Sequence, residues 1–282
     1  MIQADVAVVS DALSAGFYFP AWHKYYSGLF GADNIHLITY QGRRDAFDEF
    51  ILGDLVVLED AYSDTGRLVA VMRLVDRLLA EYKTIIRVDT DEFLVPDPVS
   101  YKDLRAFAEQ RTSEVVCARG FDVFQKIGEP ALDYNRSMLC TQRRHAFAVT
   151  SLHKPCVTSV PIRWNTGFHY SSVPPHFDRL FMFHMKRADI KSQQIWNDHM
   201  VDSATDTDVK AYYRSSGERI EDFHRSMSVR ETLNEDNALY REDFVADFLA
   251  SMKLWQSDRI YHGKFAIDTV NVEIPLRFSG YF

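Results

Sequence analysis

Apolar and polar positions along this 282-residue chain fall into two kinds of run. Short, nearly continuous apolar stretches read as strands buried on both faces: Asp5 to Ser10 (DVAVVS), Ile35 to Tyr40 (IHLITY), Asp54 to Leu58 (DLVVL) and Thr84 to Val88. Between them lie segments with helical spacing. Pro20 suits the first turn of a helix that carries Trp22, Tyr25, Tyr26 and Leu29 and ends at Gly31. From Arg67 to Tyr82, the residues Leu68, Val71, Met72, Val75, Leu78 and Leu79 recur at intervals that place them on one helical face. Strands alternating with helices predict βαβ units, an α/β class and a mostly parallel central sheet flanked by helices.

Past Pro96 and Pro98 the pattern loosens. Tyr101 to Arg111 reads as a helix, and Val115 to Ala118, Ala146 to Thr150 and Arg179 to Phe183 read as strands. Pro174–Pro175 interrupts any regular element. The last third is charged and helical in character. Ser228 to Glu231 has capping-box spacing, and Val245, Phe248, Leu249 and Met252 make an apolar stripe. With no repeat or low-complexity linker, the chain divides by character into residues 1–190 and a helical extension, 191–282, packed on the same domain.

Composition narrows the classes. With 46% hydrophobic residues the chain can bury a large core, and its net charge of −8 gives no positive field for nucleic acid. Cys117, Cys140 and Cys156 are an odd set without CxxC spacing, which points to a reducing compartment and away from structural zinc. The start MIQADVAVVSDA lacks the basic and long apolar parts of a secretory signal. No apolar run approaches the ~20 residues that span a bilayer. A soluble, cytoplasmic protein is expected, with peripheral membrane attachment left open.

The candidate chemistry lies in EYKTIIRVDTDEFLVPDP, where an apolar strand ends in Asp89, Asp91 and Glu92. Folding does not require such a cluster. In an extended chain Asp89 and Asp91 project together, with Thr90 turned away. Two carboxylates ~5 Å apart repel by roughly 3 kcal/mol at an effective dielectric near 20. A shared proton, basic neighbours or a divalent cation would relieve this, and oxygen ligands suit Mg²⁺ or Mn²⁺. The plain alternative is a strand-end turn with solvated or capping acids. In parallel sheets ligands bind beyond the carboxyl ends of strands, where this cluster sits.

VDTDEFLVP resembles the DxDEF signature of glycosyltransferases with the GT-A (Rossmann-like) fold, in particular family 92 and related family 2-like enzymes. VVSDALSAGFYFPAWHKYYSGLFGADNIHLITY, HKPCV, WNTGFHY and RLFMFHMKRAD are similar, in order, to further segments of those families, so the resemblance covers about Asp5 to Asp189. It implies a nucleotide-sugar-binding and catalytic domain, a nucleoside-diphosphate-sugar donor, a glycan or other hydroxyl acceptor, a role in polysaccharide synthesis, and Mn²⁺ or Mg²⁺ as cofactor. Asp89 would lie near the ribose and the metal-held diphosphate and share in holding the metal, and Asp91 would ligate it directly. A histidine after a later strand would complete the set, with His184 fitting best and His169 its rival. Ser10 and Asp11 stand where relatives carry an Asn-Glu pair, which leaves the base contacts open; by location they are candidate nucleotide contacts, against a plain strand-to-helix turn. Lys154 and Lys186 would offset phosphate charge.

An inverting transfer also needs a carboxylate base, and Asp122 in ARGFDVFQ is the candidate, against a solvated turn acid. Phe121, Phe124, Trp164 and Tyr170 could stack on sugars, though such rings more often lie in cores. A haloacid-dehalogenase-like phosphatase or phosphotransferase would use Asp89 as nucleophile. Phe93 at the motif's fifth position and three preceding strands count against it. A non-catalytic nucleotide-sugar-binding relative is the remaining alternative.

Overall fold

The computed structural model describes residues 4–59, 62–203 and 207–282; the first residues of the N-terminal reading above lie outside them. Strands β1 (Ala4–Asp11), β2 (Ile35–Tyr40), β3 (Asp54–Leu58) and β4 (Tyr82–Arg87) alternate with helices α1 (Phe19–Phe30) and α2 (Asp64–Leu78). They lie in the order β4-β1-β2-β3, all parallel. Period-two geometry explains their unbroken apolar runs. Val6 and Val8 of β1 face a core with Trp22, Tyr26 and Phe30 of α1, while Ala7 and Val9 face Val71, Val75 and Leu78 of α2. Ser63 caps α2 by accepting a bond from the Gly66 amide at 3.1 Å.

Beyond β4 the parallel order is not kept. After β5 (Glu92–Pro96) and α3 (Leu104–Gln110) come β6 (Val115–Phe124), β7 (His145–Ala148), β8 (Pro155–Thr158) and β9 (Phe177–Arg187). β8 runs antiparallel to β4 and β6, and β7 antiparallel to β6, while β6 and β9 are parallel. The sheet is therefore large and mixed. β6 and β9 extend well past the stretches expected for them. β5, which opens with the Glu-Phe of the acidic motif, and β8 were hidden by their shortness and prolines.

The last third supplies α4 (Ile190–Ser203), α5 (Thr207–Gly217), α6 (Ile220–Ser228) and α7 (Glu242–Ser251), but it is not simply helical. It also gives β10 (Thr232–Leu233), β11 (Lys253–Trp255), β12 (Ile260–His262) and β13 (Asn271–Glu273). β13 pairs with β7 inside the main sheet, so no seam follows residue 190. Phe282 stacks on Phe93 of β5 with ring centroids 3.9 Å apart. The expected capping box at Ser228 is corrected. Ser228 closes α6, its hydroxyl donating to the His224 carbonyl and accepting from the Ile127 amide, because the chain turns into β10 rather than a new helix. In α7, Val245 and Phe248 are buried, whereas Leu249 is exposed.

Two close approaches fix the middle of β6. A Cβ on Gly120 would lie 2.2 Å from the Leu152 carbonyl oxygen, and the Gly120 amide donates to Nδ1 of buried His153 at 3.0 Å. Gly120→Ala should cost about 1–3 kcal/mol of stability in urea unfolding. Gly28→Ala, exposed in α1 with nothing near its new methyl, should add about 0.5–1 kcal/mol. His153 is enclosed by Phe177, Phe244 and Phe248, and burial, with Arg119 nearby, pushes its pKa down to about 3. The unfolded imidazole takes a proton near pH 6.5 and the folded one only near 3. Its stabilising contribution is thus present above 6.5 and falls away as pH drops through that window. Between pH 7 and 5 His153 should cost the native state about 2 kcal/mol, and the acid sensitivity of His153→Gln in urea unfolding should be smaller by that amount.

Candidate functional site

Parallel pairing brings the carboxyl ends of β1 and β4 together, with Val9 opposite Arg87. Asp11 ends β1, and Asp89 follows β4 by two residues. The extended path expected through Asp89 and Asp91 does not persist. The Glu92 amide donates to the Asp89 carbonyl at 3.0 Å, closing a turn, and the Glu92 carboxylate accepts from the Asp89 amide at 2.9 Å. A turn is required because β5 must leave β4 to pair with β9.

Cations surround Asp89. Its Oδ1 meets Arg67 and Arg87, the latter at 2.7 Å, and its Oδ2 meets Lys154 Nζ at 2.7 Å. Asp11 shares both arginines, 2.7 Å from Arg67 Nε and 3.0 Å from an Arg87 nitrogen. Lys154 also reaches fully buried Glu92 at 2.5 Å. Burial opposes the Asp89 carboxylate, yet Arg87, Lys154 and Arg67 hold its pKa well below the usual range. Lys154 is held charged the same way, its burial outweighed by Asp89 and Glu92. The Arg87 guanidinium carbon lies over the Phe168 ring, 3.4 Å from its centroid.

The second group hangs from β9. That strand pairs Glu92 of β5 opposite His184 on one side and Asp122 of β6 opposite His184 on the other. A slip of one residue would turn the imidazole to the other face. His184 Nδ1 donates to Asp122 Oδ1 at 2.5 Å, and Nε2 lies 3.3 Å from Asp91 Oδ2. Arg187 Nε donates to the other Asp122 oxygen at 3.0 Å. Burial disfavours a charged imidazole here, but Asp91 and Asp122 outweigh it and raise the His184 pKa to about 10. Against its own burial, Asp122 is pulled down to about 2 by His184 and Arg187. Asp122 is 6% exposed with both oxygens engaged, a poor setting for the base it was expected to be. Lys186 lies over the Tyr213 ring at 4.9 Å, and burial, then Arg187, lowers its pKa. No carboxylate of the described residues pairs with it.

Among the described residues, no group of three or more His, Cys, Asp or Glu side chains is arranged to hold a metal alone. Asp91 Oδ2 and His184 Nε2 nonetheless fit two neighbouring positions on one ion: ligands about 2.1 Å from an octahedral centre and at right angles lie roughly 3.0 Å apart. Two protein donors with substrate oxygens and water is the usual arrangement for Mg²⁺. Asp89 is taken up by cations, which does not leave it the open face of a ligand. His169 donates from Nδ1 to the Ser151 carbonyl at 2.6 Å, and burial lowers its pKa to about 4. It is not grouped with Asp91 and His184. Ser10 is fully buried, its hydroxyl without a partner, and Asp11 anchors arginines.

Phe121, Phe124 and Trp164, weighed as sugar platforms against the commoner core position, are core side chains. Tyr170 is partly buried and donates to the Gly263 carbonyl at 2.9 Å. Arg67, Arg87, Arg187 and Phe168 went unnoticed in the sequence. Arg87 carried a readable signal, a charge inside a strand apolar on both faces. Arg67 carried none, because the docking of the α2 N-terminus on β1 brings it in.

No family model matches the chain, and no curated protein matches it.

Proposed function

We propose that this chain is a metal-dependent glycosyltransferase of GT-A type, moving a sugar from a nucleoside-diphosphate donor to a glycan or other hydroxyl. The resemblance around VDTDEF supplies the reaction class. The observation that carries the reading is the Asp91–His184–Asp122 chain, a partly exposed carboxylate and an imidazole nitrogen side by side, with a buried carboxylate behind the imidazole. That is how proteins orient a metal-binding histidine.

Asp91 and His184 would hold Mn²⁺ or Mg²⁺. A bound divalent cation offsets the negative charge that gathers on a departing diphosphate. A metal on Nε2 would replace the proton that the charged His184 carries there, and Asp122 would hold the remaining proton on Nδ1 and fix the ring orientation. Lys186, without a carboxylate of its own, is a second positive group for diphosphate oxygens. Asp89 keeps the turn in place by tying β4, α2 and Lys154 together. Enclosed by three cations, it lacks the open approach that a phospho-accepting nucleophile needs.

With Mn²⁺ and a matching nucleoside diphosphate or its sugar at about 100 Kd, bound ligand adds ~2.7 kcal/mol, a rise in Tm of roughly 5–10 °C. Scanning fluorimetry across nucleotides should find that rise with metal present and lose it in Asp91→Ala. A rise of equal size without metal and in Asp91→Ala would point instead to a non-catalytic binding module.

Asp122→Asn should raise the Mn²⁺ concentration for half-maximal turnover by about 10–100-fold. At saturating Mn²⁺, kcat should be largely restored. A kcat collapse that metal does not repair would make Asp122 the base after all.

A further inference from the structure

Most exposed large apolar side chains of this protein are spread along the chain, as Ile51, Val99 and Ile195 are. One region differs. Leu249, Leu254, Trp255, Phe265 and Ile267, exposed by 37–62%, fall within nineteen residues around the β11–β12 hairpin. The fold holds them together. β11 pairs only with β12, Trp255 opposite Ile260 and Lys253 opposite His262. The Lys264 amide donates to Ser251 Oγ at 2.9 Å, which ties the chain just before Phe265 to the last residue of α7. Ile267 is bridged to Val149. Every residue of β11 is exposed, so the strand projects both faces, while buried Ile260 of β12 sits against the body and the Tyr261 amide donates to the Ser171 carbonyl.

Charge identifies the occupant. Lys253, Arg259 and Lys264 are exposed among these apolar groups, and none pairs with a carboxylate of the described residues, in a chain of net charge −8. The nearby Asp258 is taken by His262 at 2.9 Å. A second copy meeting this surface symmetrically would bring unpaired cations against unpaired cations. Nucleic acid would meet a chain negative elsewhere and no continuous basic track. An exposed indole, stacked on His262 in a segment that also exposes Leu254 and Phe265 with lysine and arginine between them, suits the interface of an anionic bilayer, where rings enter the headgroup layer and cations meet lipid phosphates and carboxylates.

We propose that the β11–β12 hairpin, with the end of α7 and Phe265, is a docking surface for anionic membrane lipid. The hairpin is joined to the segment beside the acid cluster: Tyr170, next to His169, donates to Gly263, and Tyr261 to Ser171. The inference stands on exposure and charge and does not need the glycosyltransferase reading.

Vesicle flotation of the full chain tests it. Vesicles of phosphatidylcholine with about a third phosphatidylserine should retain the protein at low salt, and pure phosphatidylcholine should retain at least tenfold less. Lys253→Glu with Lys264→Glu, and separately Trp255→Ser with Phe265→Ser, should each weaken retention at least tenfold while melting as the parent does. All four residues are exposed, so the fold should tolerate them. Absence of retention on either vesicle, equal retention by parent and variants, or a concentration-dependent dimer that Trp255→Ser with Phe265→Ser abolishes would overturn the proposal.

Discussion

Five acids at the carboxyl edge of this sheet, Asp11, Asp89, Asp91, Glu92 and Asp122, are tolerable because a cation or an imidazole is set against each. Arg87 is the hinge of that arrangement. It is 2% exposed, contacts Asp11 and Asp89 together, and is backed by Phe168. A buried pair of this kind contributes little compared with an apolar packing of equal volume, but losing one partner strands a charge at a cost of about 3–5 kcal/mol. The network thus specifies geometry more than it adds stability. It ties β1, β4, the start of α2 and the Lys154 segment to one point.

That interleaving gives the two aspartates of the motif different work, although their side chains are about equally exposed, 22% for Asp89 and 24% for Asp91. Exposure does not separate them; partners do. Asp89 has three cations and its own backbone locked by Glu92. Asp91 has one side-chain partner among the described residues, an imidazole that is itself fixed from behind by Asp122. A carboxylate held by three fixed charges can position a loop, whereas one facing a single nitrogen can exchange that contact for an ion.

The first half of the fold was legible because strands buried on both faces must be apolar throughout and their helices must keep a 3.6-residue stripe. Ile35–Tyr40 and Asp54–Leu58 were readable to their ends. The later strands were not, since β5, β8 and β13 are short and take their stability from long-range partners instead of their own pattern. At the site, the cluster and His184 were visible as residue types. Their roles depended on register: Asp122 looked like a base by position after a strand, and only the pairing of β6 with β9 shows it bonded to His184. Cations arriving from α2 and β4 left no local trace beyond the charge of Arg87 within an apolar run.

The last third bears on the same chemistry through the local dielectric. Leu13 and Tyr40, at the ends of β1 and β2, form a small cluster with Met200, flanked by Trp196 of α4 and Tyr213 of α5. Tyr213 in turn lies over Lys186. Helices α4 and α5 therefore cover the strand ends where the charges collect. The attraction of a unit pair at 4 Å rises from about 1 kcal/mol in water to about 4 at an effective dielectric of 20. A site open to water would hold these groups loosely and respond weakly to a new anion. Covered by α4 and α5, the arginines and lysines keep one arrangement, and the diphosphate of the proposed reaction would meet cations already fixed in place, with little left to reorganise.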